Sequence, residues 1–231
     1  KNQTMRSRLI ALGAQPAHVL ISPSGADEQR FQGATPASMP PRFLAVGRFV
    51  SKKGPLDTLE AFALLQGLTE HADACSLVMV GDGPLLSVVQ DRARQLGLEH
   101  LVQFPGVLSP DAVAQEMRRA RVFVQHSRTA EDGDEEGCPV SVMEAQLCGL
   151  PVVATRHGGI PDVVVDQQTG RLVEEGDHRG MAEAMALLAD RQDLAGAWGA
   201  AGQRRTQARF TVKHHVDQIT MLLNDLVDHR R

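Results

Sequence analysis

This sequence is short of net positive charge, of long apolar runs and of cysteine. Its 24 lysines and arginines stand against 28 aspartates and glutamates, a formal net charge of −4. It therefore lacks the basic field that holds a nucleic acid by bulk electrostatics, and no nucleic-acid partner is expected. No apolar run approaches the roughly 20 residues needed to span a bilayer, and no signal-peptide pattern is present. The three cysteines, Cys75, Cys138 and Cys148, are odd in number and fit neither a disulfide framework nor a zinc site by spacing. Reduced, mostly buried thiols in a cytosolic protein are the expectation. Internal repeats and low-complexity stretches are missing as well. The chain opens at Lys1 rather than methionine, which raises the expectation of a fragment of something longer.

What is there is an ordinary globular composition, 42% hydrophobic and 23% charged over 231 residues, enough to bury a real core. HVLISP (18–23), RFLAVGR (42–48), CSLVMVG (75–81), HLVQFPG (100–106), RVFVQHS (121–127), LPVVATR (150–156) and GRLVEEG (170–176) read as strands closed by Gly, Pro or Ser. Most are continuously apolar, as strands covered on both faces are. Helical patterns lie between them: Pro55 to Gln66, Pro84 to Leu96, Pro110 to Ala120 and Pro139 to Cys148, each opening on a proline near a first helical position. The alternation predicts an α/β fold, a Rossmann-like doubly wound parallel sheet. From about Asp177 three helices follow, over 178–190, 194–207 and 212–228, and residues 1–14 read as a leading helix. Apolar faces on Met181–Leu188 and Ile219–Leu226 are expected to pack against another domain.

In an open parallel sheet, ligands bind beyond the carboxyl ends of the strands, and four such ends carry unusual residues. In GRFVSKKG, Gly47 and Arg48 close a strand and Lys52 and Lys53 precede a helix; this suits an anion such as a diphosphate, or is simply a solvated basic loop. In GDGP, Gly81 and Gly83 permit a tight turn with backbone close to a ligand, although turns use the same residues. In FPGVL, the backbone of Gly106, Val107 and Leu108 could meet a nucleobase edge, with nothing in the residue types demanding it. In EEGCPVSVMEA (135–145), Pro139 as first helical residue would put Gly137 and Cys138 at the cap. Glu136 then lies before the helix and Glu144 one turn within it, and the free first-turn amides with the helix dipole form a phosphate site. A carboxylate at such an edge can hold ribose hydroxyls; a helix-capping acid and a surface acid are the alternative. The overlapping Asp132-Gly133-Asp134 could take a divalent cation through hard oxygens, but a short acidic loop is usually solvated and no metal is expected.

With these pieces in this order, the sequence resembles the C-terminal, donor-binding domain of family-four retaining glycosyltransferases of GT-B fold. The resemblance rests on GRFVSKKG, VMVGDGPL, VQFPGVLS, HSRTAEDGDEEGCPVSVMEA, GLPVVATRHGGIPDVV and TGRLVEEGD, from about Ser22 to Asp177, and its wording is closest to the colanic-acid, exopolysaccharide subgroup. The resemblance implies that Arg48 and Lys53 bind the diphosphate of a nucleotide-sugar, with UDP or GDP as its nucleotide. It gives Glu136 the donor sugar and Glu144 the ribose. Amides around Cys138, Val140 and Ser141 would meet phosphate or sugar oxygens. Gly47, Gly81, Gly83 and residues 106–108 would line the nucleotide pocket. Arg48, Lys53 and Glu136 are the catalytic candidates, and no cofactor or metal is implied beyond the donor substrate. Many relatives have glycine where this chain has Pro139, so one phosphate-facing N–H is expected to be lost.

The implied partners are a nucleotide-sugar donor, a glycan or lipid-linked acceptor, and an N-terminal acceptor domain that this chain does not contain. Residues 1–14 are then a linker helix, 15–190 the nucleotide-sugar-binding domain, and 191–231 helices packing back toward that acceptor domain. The expected location is cytoplasmic, with peripheral contact to the inner face of the membrane only through the other half. Without the acceptor domain this chain is expected to bind nucleotide and not to transfer sugar. The rival readings are a non-catalytic nucleotide-sugar-binding module and a sugar-nucleotide epimerase of the same fold.

Overall fold

A computed structural model describes residues 2–228. Six strands form one sheet: β1 Arg42–Val46, β2 Ser76–Val80, β3 Val102–Gly106, β4 Val122–Gln125, β5 Val152–Thr155 and β6 Gly170–Val173. Their order is β3-β2-β1-β4-β5-β6 and every pairing is parallel. The chain therefore reverses its direction of travel across the sheet between β1 and β4, and a crevice opens at their carboxyl ends. The predicted doubly wound sheet is the one observed. β4 and β5 are buried along their whole length, which is why their sequences run apolar without alternation.

Helices cover both faces. On one lie α2 Pro55–Leu65, α3 Leu86–Gln95, α7 His178–Asp190 and α8 Gln192–Arg209, around Phe43, Phe62, Leu59, Leu77 and Met185. On the other lie α4 Pro110–Arg119, α5 Val140–Cys148 and the short α6 Ile160–Val163, around Leu44, Phe123, Met143 and Ile160. Each such fully buried side chain contributes roughly 1.5–3 kcal/mol. Local signals set the helix ends: the Ser109 hydroxyl accepts from the Ala112 amide at 3.3 Å ahead of Pro110, and Gly149 ends α5 in a left-handed conformation, φ 104°.

Three expectations are corrected. HVLISP is no strand, because its surroundings are helical: the Val19 carbonyl accepts from Arg6 of α1 (Gln3–Ala11), and the Ile21 carbonyl from Gln218 of α9 (Val212–Asp228). The third predicted helix begins at Leu86 rather than Pro84, since Gly83 holds the preceding turn. The apolar face of Met181–Leu188 is spent inside this domain: Met181, Met185 and Leu188 are fully buried, and α7 packs on α2. The face on α9 is exposed as expected, with Met221 67% and Leu226 63% accessible. No described helix is long and apolar enough to cross a membrane.

Candidate functional site

All four strand-end segments reach the same sheet edge, and the first three interlock. The Gly47 amide donates to the Val80 carbonyl at 3.0 Å and the Gly81 amide to the Gly106 carbonyl at 2.9 Å. Gly81 (φ 135°) and Gly83 (φ 154°) are needed for packing between loops. A Cβ at Gly81 would lie 2.0 Å from the Gly47 carbonyl oxygen, and one at Gly83 2.6 Å from that of Phe49. Their backbone approach is thus to a neighbouring loop, which requires no ligand. Beyond β3, Val107 is exposed while Leu108 packs on the core.

Between β1 and β4 the crevice opens into a narrow cavity of about 30 Å³, lined among others by Gly47, Arg48, Lys53, Thr58 and Gln125. Arg48 is exposed, two residues past the end of β1, and its side chain makes no hydrogen bond or ion pair among the described residues. Lys53 ends a 3₁₀ turn over Ser51–Lys53 that hands the chain through Gly54 into α2. Its Nζ lies 2.5 Å from Glu136 Oε2, and the two side chains are 17% and 11% exposed. The contact is Coulombic and poorly aligned, so Oε2 is left without a hydrogen bond. Next to it, Lys52 pairs with Asp134 at 2.8 Å. Both lysines of the basic loop are therefore met by carboxylates of the acidic loop.

Helix α5 starts one residue later than its sequence suggests. Pro139 is the capping residue itself (φ −70°, ψ 120°), not the first helical one, and its carbonyl accepts from Val142 and Met143. Extended ψ is what a capping position requires. Proline therefore removes the amide of the cap, while Val140 and Ser141 keep theirs in the open first turn. The Ser141 hydroxyl is held by Gln125 Oε1 at 3.2 Å, and Gln125 in turn donates to Ser127 at 2.6 Å. Cys138 is partly buried against the core. Glu144, one turn in, makes no hydrogen bond or ion pair among the described residues. Burial pushes its carboxyl up to about 7, with Asp27 adding to the rise and Arg30 opposing it. Arg30 itself is engaged by Asp111 at 2.8 Å and Asp27 at 3.2 Å.

The D-x-D pair does not converge: Asp132 accepts from the Asp134 amide at 3.0 Å, and Asp134 faces Lys52. A metal-like trio does occur elsewhere, at Asp57, His126 and His178. Its chemistry argues against a cation. The Gly176 amide donates to His126 Nε2 at 2.8 Å, which forces the ring proton onto Nδ1 and leaves that histidine no lone pair to give. Burial first, with His178 and Arg128 helping against Asp57, pushes His126 down to about 4. The trio reads as a buried polar bridge between β4, α2 and α7, with His178 Nε2 2.8 Å from Asp57.

Sequence reasoning missed His157 and Glu175. His157 Nε2 accepts the Glu136 amide at 3.0 Å, and its Nδ1 lies 2.5 Å from Glu175 Oε1. The signal available was the histidine ahead of the Gly158-Gly159 pair, at the carboxyl end of β5.

Comparisons with known proteins bear on the family and the fold. Residues 26–205 match the family model described as glycosyl transferases group 1. The chain is 35% identical over 193 residues to an Escherichia coli protein named as the colanic acid biosynthesis glycosyltransferase WcaL, an alignment covering 81% of this chain and 47% of the relative. It is 32% identical over 216 residues to a Mycobacterium tuberculosis protein named GDP-mannose-dependent alpha-(1-6)-phosphatidylinositol monomannoside mannosyltransferase, covering 89% and 55% respectively. The chain thus spans about half the length of these relatives. Its fold is that of the crystal structure of Anabaena Alr3699/HepE in complex with UDP and glucose, with a TM-score of 0.82 at 20% identity, over 96% of this chain and 61% of that one.

Proposed function

This chain belongs to the glycosyl transferases group 1 family, and from that premise we propose that it is the donor-binding half of a retaining enzyme. The whole protein would move a hexose from a nucleoside-diphosphate sugar to a glycan or lipid-linked acceptor in polysaccharide synthesis. The observation that carries this reading is the meeting of Lys53 and Glu136 at the mouth of the β1–β4 crevice. A half-buried lysine is there held ready by a carboxylate that a diphosphate can replace. Two phosphates attract an ammonium more strongly than one carboxylate does. Donor binding would thus transfer Lys53 from Glu136 to the diphosphate and free Glu136 for the sugar. Arg48, exposed beside it, would close on the second phosphate. As the sugar–oxygen bond breaks, negative charge grows on the departing nucleoside diphosphate, and Arg48, Lys53 and the Val140 and Ser141 amides would stabilise it. Glu144 would accept from the ribose hydroxyls. A relative named for GDP-mannose and a similar structure holding UDP with glucose support the ligand class and leave both bases in the test.

Calorimetry of this chain with UDP, GDP, UDP-glucose and GDP-mannose tests the reading. Saturable binding of one nucleotide and its sugar, weakened by Lys53→Ala, is expected; no binding of any of the four would overturn it. In the enzyme that contains this chain, the anomeric configuration of the product, read by NMR, should match that of the donor. A product formed without acceptor would point to epimerisation instead.

A further inference from the structure

The backbone at Glu136 is held by groups that have no part in the reading above. The Glu136 amide donates to His157 Nε2 at 3.0 Å. An amide can donate only to a nitrogen lone pair, so the ring proton sits on Nδ1, where Glu175 Oε1 accepts it at 2.5 Å. The other oxygen of Glu175 accepts from the Thr129 amide at 3.0 Å. One carboxylate thus ties down both ends of the acidic loop, directly at Thr129 and through the imidazole at Glu136. Burial alone would raise Glu175, but the Thr129 amide and His157 hold its carboxyl below the usual range.

His157 is 3% exposed and has no room to swing. The next two residues press against the same loop. A Cβ at Gly158 (φ 54°) would lie 1.9 Å from the Glu136 carbonyl oxygen, and one at Gly159 2.2 Å from that of Gly137. From the other side the buried Asn2 side chain donates to the Gly137 carbonyl. The peptide that carries Glu136 is therefore fixed, while its side chain projects to Lys53.

We propose that His157, oriented by Glu175, is a positioning residue: it clasps the 129–136 loop and sets Glu136 at the donor cleft. The consequence for the reaction rests on the reading of Glu136 as the sugar-facing carboxylate; the clasp itself does not. Without the acceptor at Nε2, the Glu136 amide loses its partner, and beside the Thr129 and Asn2 hydrogen bonds the loop keeps only ion pairs, the more exposed of them Lys52–Asp134 and Arg8–Glu135. Those hold weakly in water, and Glu136 loses its direction even though its side chain remains.

Two substitutions separate the acceptor from the volume. His157→Phe fills the site without a lone pair, and His157→Gln places an amide oxygen near the position of Nε2. Hydrogen exchange of the Glu136 amide, followed by NMR on this chain, should quicken about fivefold or more in His157→Phe and return toward wild type in His157→Gln. In the enzyme that contains this chain, kcat should fall in the first variant and recover in the second. The affinity for the free nucleoside diphosphate should not fall in either. Unchanged exchange in His157→Phe would overturn the proposal, as would equal loss of nucleotide affinity in both variants, which marks a general structural defect. If His157→Phe does not fold, Glu175→Gln is the second variant: its amide group cannot accept from both Thr129 and His157, so the same exchange increase is expected. Wild-type protein that binds no nucleotide would sink the donor-binding reading, while the exchange comparison would still decide the clasp.

Discussion

Glu136 and Glu144 lie eight positions apart and are of one residue type, yet the structure gives them opposite circumstances. Glu136 sits in a loop, its amide on His157 and its carboxylate against Lys53. Glu144 sits on a helix, partly buried, with its carboxyl pushed up to about 7 and no ion pair among the described residues. Glu136 is already paired in charge by Lys53 in the absence of ligand, so a ligand must compete for that partner. Glu144 is under-solvated, so a ligand that donates hydrogen bonds relieves it. On the proposed reading, a site built this way would meet the donor with one group to displace and one group to satisfy.

The largest way to break the comparison is to remove the shared cation. In the enzyme that contains this chain, Lys53→Ala should lower turnover by about 10²–10³-fold, the range for losing one charge-stabilising group. A steady-state assay of the whole enzyme with saturating acceptor checks this. Loss of less than about fivefold would assign the diphosphate to Arg48 and the α5 amides instead.

Glu144 has a signature in stability. Its folded value of about 7 lies above the ordinary 4.5, so between these pH values the folded state binds the extra proton. The benefit of the neutral carboxyl is complete below about pH 4.5 and is lost as pH rises through about 7. At about 1.4 kcal/mol per pH unit the ceiling is roughly 3 kcal/mol, and solvent access lowers it to on the order of 2 kcal/mol. Glu144→Gln should therefore stabilise this chain by that amount at pH 8 and by little at pH 4.5, in urea titrations at the two pH values. The same substitution should weaken nucleotide binding, so stability and ligand affinity move in opposite directions.

The framework of this site could be read in the sequence because it is local. Continuous apolar runs closed by glycine specified the parallel strands, and prolines marked the helix starts. Parallel strands put their carboxyl ends on one edge, which gathered Gly47, Gly81, Gly106 and Glu136 from segments far apart in the chain. Errors arose where tertiary surroundings decide. HVLISP has strand composition but helices for neighbours. Pro139 is consistent with either the cap or the first turn, and only its ψ of 120° decides. The Lys53–Glu136 pair and the His157–Glu175 clasp join different loops, and no periodicity reports such contacts. Charge was legible as an inventory and its pairing was not.

A smaller effect sharpens the comparison at Glu136 itself. If donor binding must take Lys53 from Glu136, then removing the carboxylate's charge should help the nucleotide alone. Glu136→Gln should tighten nucleoside-diphosphate binding by about fivefold, corresponding to release of a partly buried pair worth about 1 kcal/mol, while turnover of the whole enzyme falls. Calorimetry with UDP or GDP, whichever binds, gives the affinity. Glu144→Gln moves the same measurement the other way, so the two single substitutions form an internal control. Equal weakening by both would mean that Glu136 contacts the nucleotide directly.

The smallest effect lies at the neighbouring residue. Arg8 pairs with Glu135 at 2.6 Å, with its side chain 61% exposed. Water screens both charges and the ends of long side chains are costly to order, so Arg8→Ala should change stability by under about 0.5 kcal/mol. Because His157 and the Gly158-Gly159 backbone already fix the next peptide, Glu136 exchange and nucleotide affinity should also be unmoved. A loss of affinity in Arg8→Ala comparable to that in Lys53→Ala would show that α1 governs the acidic loop. The control of Glu136 would then have to be assigned to the amino-terminal segment rather than to the clasp at the end of β5.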